Sequence, residues 1–235
     1  AGAFENVVVT QDWHTPGHVS FASAHSGKKP FETTRLAYGT QVLWPDHCVQ
    51  GSEDAALLKG LNLPKAQLII RKGYHQSTDS YSAFTEADGK TTTGLAAYLK
   101  AHGVDSVYVC GLATDFCVAW TALDARKAGF KAAVIEDACR GIDLNGSLKA
   151  AWDKMTKAGV KRIQSGDMCE SSQPEPYLAT RRMVGFDSPP IQIGGCGFWT
   201  GFGSKSTFSK FHQRPWKVGV CSVQRARIAS IDSSV

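Results

Sequence analysis

A three-layer α/β/α fold around a parallel sheet is what the sequence predicts, on three observations. Short apolar, β-branched runs alternate with segments of helical period, three of those segments stop at a glycine, and polar side chains capable of chemistry follow the runs. The runs at 7–10, 68–71, 107–111 and 132–136 read as buried strands and 162–164 as a shorter one, because unbroken Val/Ile/Leu stretches suit strands covered on both faces. Segments 92–102, 115–128 and 147–158 read as helices. Gly103, Gly129 and Gly159 stand just past them, where glycine accepts a left-handed helix cap. The alternation implies right-handed crossovers between parallel strands.

The chain of 235 residues, 43% hydrophobic, is long enough for one such domain, or one domain with an appendage. No stretch approaches the ~18 consecutive apolar residues of a membrane helix, and residues 1–6 lack the basic start and apolar core of a signal peptide, so the expectation is no membrane partner and a cytoplasmic location. The seven cysteines are widely spaced with no C-x-x-C pair, which suits reduced thiols. Residues 169–235 carry 8 Lys/Arg against 4 Asp/Glu and the remainder 18 against 17, so most of the +5 charge sits in the tail. Its basic residues are scattered, which argues against a nucleic-acid surface. A homo-oligomer stays open. The tail also holds five of the nine prolines, ten serines and seven glycines, without helical period; the expected division is 1–168 and 169–235.

Residues able to do chemistry follow the predicted strand ends. Asp12 and His14 stand two apart, so in extended chain they point to one side and can share a cation, with His47 arriving from Trp44-Pro45-Asp46-His47-Cys48. Three N/O donors with open positions suit a catalytic metal; a hydrogen-bonded loop pair is the plainer alternative. His18 could be a fourth ligand, a group that supports a ligand, or loop surface. Cys117 opens a predicted helix, where backbone N–H groups and the helix dipole favour a thiolate; it could equally be a small core residue. Cys110 is mid-strand, and Cys48 and His47, being adjacent, point apart. Lys72 closes the strand 68–71 and could hold the Cys117 thiolate or simply reach solvent.

Taken together these segments resemble the nicotinamidase/pyrazinamidase branch of the isochorismatase-like cysteine hydrolases. The resemblance rests on Thr10-Gln-Asp-Trp-His14 through Ser23, on Trp44-Pro-Asp-His-Cys48, on Lys72-Gly73 and on Asp79-Ser-Tyr-Ser-Ala-Phe84. Gly111-Leu-Ala-Thr-Asp-Phe-Cys117 and Asp137-Ala-Cys-Arg-Gly141 complete it, so that it spans about Phe4 to Asp167. It implies hydrolysis of nicotinamide, and of pyrazinamide, through a cysteine thioester. Asp12, His14 and His47 would hold a divalent metal, with zinc first and manganese or iron as alternatives. Cys117 would be the nucleophile, Lys72 the active-site lysine, and Trp44 and Tyr81 the walls of the pyridine pocket. A non-proline cis bond between Leu112 and Ala113 would aim the N–H groups of Ala113 and Cys117 at the substrate oxygen. A related hydrolase of another small amide or of a vinyl ether, and a non-catalytic homologue, are the competing readings.

The resemblance further implies a six-stranded sheet of order 3-2-1-4-5-6 whose first strand carries a catalytic aspartate in a D-x-Q-N-D-F-like motif upstream of the D-W-H motif. That motif does not precede Asp12 here. The expectation is therefore a chain lacking its first strand, five strands around a vacancy, and impaired activity. The tail is expected to be frame-shifted or vector-derived and unable to fill the gap, Val218–Val223 being its one convincing strand.

Overall fold

A computed structural model describes Phe4, residues 6–170 and residues 216–222. Six strands form one parallel sheet: β1 (Asn6–Asp12), β4 (Ala66–Lys72), β5 (Val104–Leu112), β6 (Lys131–Arg140), β7 (Lys161–Ile163) and β8 (Trp216–Ser222). They lie in the order β4-β1-β8-β5-β6-β7, and every neighbouring pair is parallel. Helices α1 (Leu95–Ala101), α2 (Ala119–Lys127) and α3 (Ser147–Lys157) connect the later strands, and a short α4 (Asp167–Glu170) follows β7. An antiparallel hairpin of β2 (Thr33–Leu36) and β3 (Gly39–Val42) stands apart from the sheet. Among the described residues no helix is long and apolar enough to cross a membrane.

The predicted strands and helices are all present. Gly103, Gly129 and Gly159 take φ of +66°, +94° and +75° at the three helix ends, as their positions required. Helix α1 starts three residues later than expected because Thr92 bridges to Thr85 and Gly94 is left-handed, at φ +86°. Strand β6 runs on to Arg140 because Cys139 and Arg140 pair with Gly111 and Leu112 after an irregularity in register.

The central strand corrects the expectation of a vacancy. β8 comes from the tail and lies between β1 and β5, pairing Val220 with Val8 on one side and Val109 on the other. Val109 in turn pairs with Val134, so one row of four buried valines crosses the sheet into the main core. Gly219 serves the other face: a Cβ there would stand 3.0 Å from the Phe4 ring, which packs on Tyr108 at 5.4 Å between centroids. The run 218–223 was the tail's one expected strand, but it was not expected to fill the gap. Two half-paired neighbours each offer a row of backbone donors and acceptors, and satisfying both rows outweighs the poor helical period of the surrounding sequence.

Candidate active site

The carboxyl ends of β1 and β4 lie side by side, with Asp12 in register with Lys72. Their side chains form an ion pair, and the Lys72 ammonium also donates to Cys117 Sγ at 3.2 Å and to the Ser80 carbonyl at 3.2 Å. Burial alone would strip Lys72 of its proton, but Asp12 and Cys117 outweigh it and raise the pKa above the ordinary lysine value. Burial likewise pushes the Asp12 carboxyl up, yet Lys72, His14 and His47 together hold it below the usual range.

Cys117 sits in a wide helical turn, Thr114–Val118, that leads into α2. The peptide between Leu112 and Ala113 is cis, and the Ala113 carbonyl accepts from the N–H groups of Phe116 and Val118 at 3.1 Å each. Asp115 clamps this turn to the chain after β6: its carboxylate accepts from the N–H of Ile142 at 3.0 Å, the N–H of Asp143 at 2.9 Å and the Ser147 hydroxyl. Burial pushes the Cys117 thiol up to about 11, against the Lys72 charge that pulls it down. Burial and the neighbouring ammonium thus act on Cys117 in opposite directions, and burial is the larger. Cys48 and Cys139 are buried, and burial lifts the Cys48 thiol to about 12.

Asp12, His14 and His47 come together, with one donor atom from each lying within 4.8 Å of the others. A bridge between His14 and Val49 draws the two loops together: His14 N–H donates to Cys48 O at 3.0 Å and Gln50 N–H to His14 O at 2.8 Å. The imidazoles are turned for the task. His14 Nδ1 donates to Gly73 O at 3.2 Å and His47 Nδ1 to Pro45 O at 2.8 Å, so each Nε2 keeps its lone pair. Burial lowers the His14 pKa to about 4, which keeps the ring neutral, the form that binds metal. Gly73 permits the approach; with φ +65°, a Cβ there would fall 2.3 Å from His14 Cε1. The donor set and its outward lone pairs fit a divalent ion of the zinc, manganese or iron kind.

His18 has both nitrogens in use. Nε2 donates toward the carbonyls of His75 and Thr78 at 3.1 and 3.3 Å, and Nδ1 faces the Ser20 hydroxyl at 2.7 Å and accepts from the Ser20 N–H at 3.2 Å. It therefore fastens the loop beside His14. Asp79, the third member of a cluster with His14 and His18, accepts from Ser80 N–H and Gln41 Nε2.

Trp44, Ala113 and Phe116 form a small apolar cluster against which Tyr81 and Cys117 pack. Trp44 meets Phe116 edge-on at 4.8 Å and Tyr81 at 6.4 Å, and its Nε1 donates to the Tyr81 hydroxyl at 2.9 Å. The arrangement is an aromatic cluster with the thiol packed against it. Sequence reasoning had singled out Trp44, Tyr81, Leu112 and Ala113; it had given no role to Phe116, Asp115, Asp79 or Gln41. Of these, Asp115 and Phe116 carried a signal, since they share the turn with Cys117.

A model of the isochorismatase domain matches residues 6–167. The nicotinamidase of Acinetobacter baylyi is 63% identical over 162 residues, which cover 69% of this chain and 76% of that protein. A solved nicotinamidase/pyrazinamidase of Acinetobacter baumanii superposes with a TM-score of 0.70 at 66% identity, covering 71% of this chain and 81% of its own. A pyrazinamidase of Pyrococcus horikoshii, solved in complex with zinc, has a TM-score of 0.52 at 34% identity, with coverage of 68% and 75%.

Proposed function

Because the chain belongs to the isochorismatase family and is an amidohydrolase, we propose that it hydrolyses nicotinamide to nicotinate and ammonia, and accepts pyrazinamide as well. The observation that carries this reading is the placement of Lys72: one ammonium touches both Cys117 Sγ and Asp12, joining the aromatic cluster to the metal donors.

The pyridine ring packs against the cluster of Trp44, Tyr81 and Phe116. Sγ of Cys117 attacks the carboxamide carbon, and the carbonyl π pair moves onto oxygen. The N–H groups of Ala113 and Cys117 receive that oxyanion, with the Lys72 charge close by. As the intermediate collapses the C–N bond breaks and the amide nitrogen takes up the proton that the thiol gave up, so that ammonia leaves and a thioester remains, which water hydrolyses to nicotinate and a free thiol. An ion held by Asp12, His14 and His47 would anchor the ring nitrogen and acidify a water. Zinc is the first choice, in keeping with the zinc-bound pyrazinamidase and the N/O donor set. Dialysis against a chelator is expected to remove ammonia release, and Zn²⁺, Mn²⁺ or Fe²⁺ to restore it; full activity in metal-stripped protein would end the metal assignment.

A thiol at rest needs a proton acceptor, and the protonated Lys72 cannot be one. The resemblance sets a carboxylate at the end of the strand between β1 and β5. In this chain that strand is β8, and Ser222 ends it, in register with Thr10 and Gly111. Ser222→Asp is therefore expected to raise kcat/KM for nicotinamide on the order of 10²-fold. A folded Ser222→Asp protein with no gain in initial rate would put the base elsewhere.

A further inference from the structure

Gln41, on β3, is 2% exposed and bonds to neither Cys117 nor Lys72, yet its amide ties the aromatic cluster to a buried carboxylate. Its Nε2 lies 2.7 Å from Asp79 Oδ2, 2.7 Å from Val42 O and 3.0 Å from the Tyr81 hydroxyl, while Oε1 accepts from the Tyr38 hydroxyl at 3.0 Å. The amide can face only this way, because turning it over would set its oxygen against a carboxylate and a carbonyl. Two hydrogens confront three oxygens. One goes to the Asp79 carboxylate, and the other is shared between the Val42 carbonyl and the Tyr81 hydroxyl. The Tyr81 hydroxyl already accepts from Trp44 Nε1 at 2.9 Å and keeps its own proton to give. Burial raises the Tyr81 pKa well above the ordinary phenol value, in line with a hydroxyl that stays a donor.

We infer that Gln41 is a positioning residue of the substrate site, anchoring on Asp79 to hold the Tyr81 hydroxyl where it accepts from Trp44 Nε1 and so setting how tightly the site binds a pyridine carboxamide. The inference rests on the nicotinamide reading. Its signature is a change in binding with bond making left alone, because the contacts of Gln41 run to the aromatic cluster and not to the reacting groups.

The test uses nicotinate binding, followed by tryptophan fluorescence, beside steady-state hydrolysis of nicotinamide. Gln41→Leu is expected to weaken nicotinate binding and raise KM about 10-fold, the cost of a lost buried hydrogen bond, with kcat within about 2-fold. If Gln41 acts through the Tyr81 hydroxyl, Tyr81→Phe combined with Gln41→Leu is no worse than the more severe single change. Should Gln41→Leu fail to fold, Tyr38→Phe decides: it removes only the donor to Oε1, and is expected to raise KM about 2-fold at constant kcat. A folded Gln41→Leu with unchanged binding, a fall in kcat at constant KM, full additivity with Tyr81→Phe, or an unmoved KM in Tyr38→Phe would each overturn it. A wild-type chain that binds no nicotinate would sink the functional reading and this inference with it. Wild-type binding with an unaffected Gln41→Leu would sink the inference alone.

Discussion

Cys117→Ala is expected to abolish ammonia release from nicotinamide while leaving nicotinate binding in place. The thiol packs against the aromatic cluster and accepts the Lys72 hydrogen bond, so removing Sγ deletes the nucleophile without touching the aromatic side chains or the metal donors. Losing a covalent nucleophile removes the whole two-step route, and the residual rate should fall by more than ~10⁴-fold. Chemical labelling gives an independent reading. With its thiol held up to about 11, Cys117 should react with iodoacetamide slowly near neutrality and faster with each step toward that pH. Cys48 and Cys139 are buried and should lag behind it. An active Cys117→Ala protein would remove the residue from the mechanism.

Val220→Asp is expected to unfold the protein. Val220 is 1% exposed and stands in the row with Val8, Val109 and Val134, among the buried apolar side chains of the main core. Burying an unpaired carboxylate there costs several kcal/mol, against a total stability of about 5–15 kcal/mol for a domain. A chain ending at Glu170 should behave the same way, because β1 and β5 would each lose a row of ladder hydrogen bonds. Far-UV circular dichroism and thermal melting decide the matter. A cooperative melt for Val220→Asp close to that of the unaltered chain would show that β8 is not a working part of the sheet.

Much of this architecture was legible because the sequence repeats one local rule. Apolar β-branched runs, helical period and a glycine stop recur in register with β5-α2-β6-α3-β7, and the rule that function gathers past strand ends located Asp12, Lys72 and Cys117. What local pattern could not reveal was pairing over long distance. Strand β8 reads as an ordinary short apolar run, and only the two rows of backbone groups on β1 and β5 give it a place. Gln41 and Asp79 were opaque for a related reason, and for His18 the sequence left three roles open. Their roles lie in who bonds to whom across loops far apart in sequence, and nothing in Thr40-Gln41-Val42 or Pro16-Gly17-His18 marks a buried amide or a spent imidazole. At Cys117 two cues oppose each other: a helix start favours a thiolate, while burial, invisible in sequence, pushes the thiol up.

The origin of β8 also bears on how the chain acquires its fold during synthesis. Val8 and Val220 are partners roughly two hundred positions apart, so the middle of the sheet closes a very long loop. A nascent chain that has already made β1, β4, β5, β6 and β7 still carries two open strand edges facing each other, and must keep them apart until Trp216–Ser222 clears the ribosome. The decisive step of folding then waits for that strand and is exposed to edge-to-edge association in the meantime. Yield in a cell should accordingly depend on temperature and on chaperone supply more steeply than equilibrium stability alone would suggest.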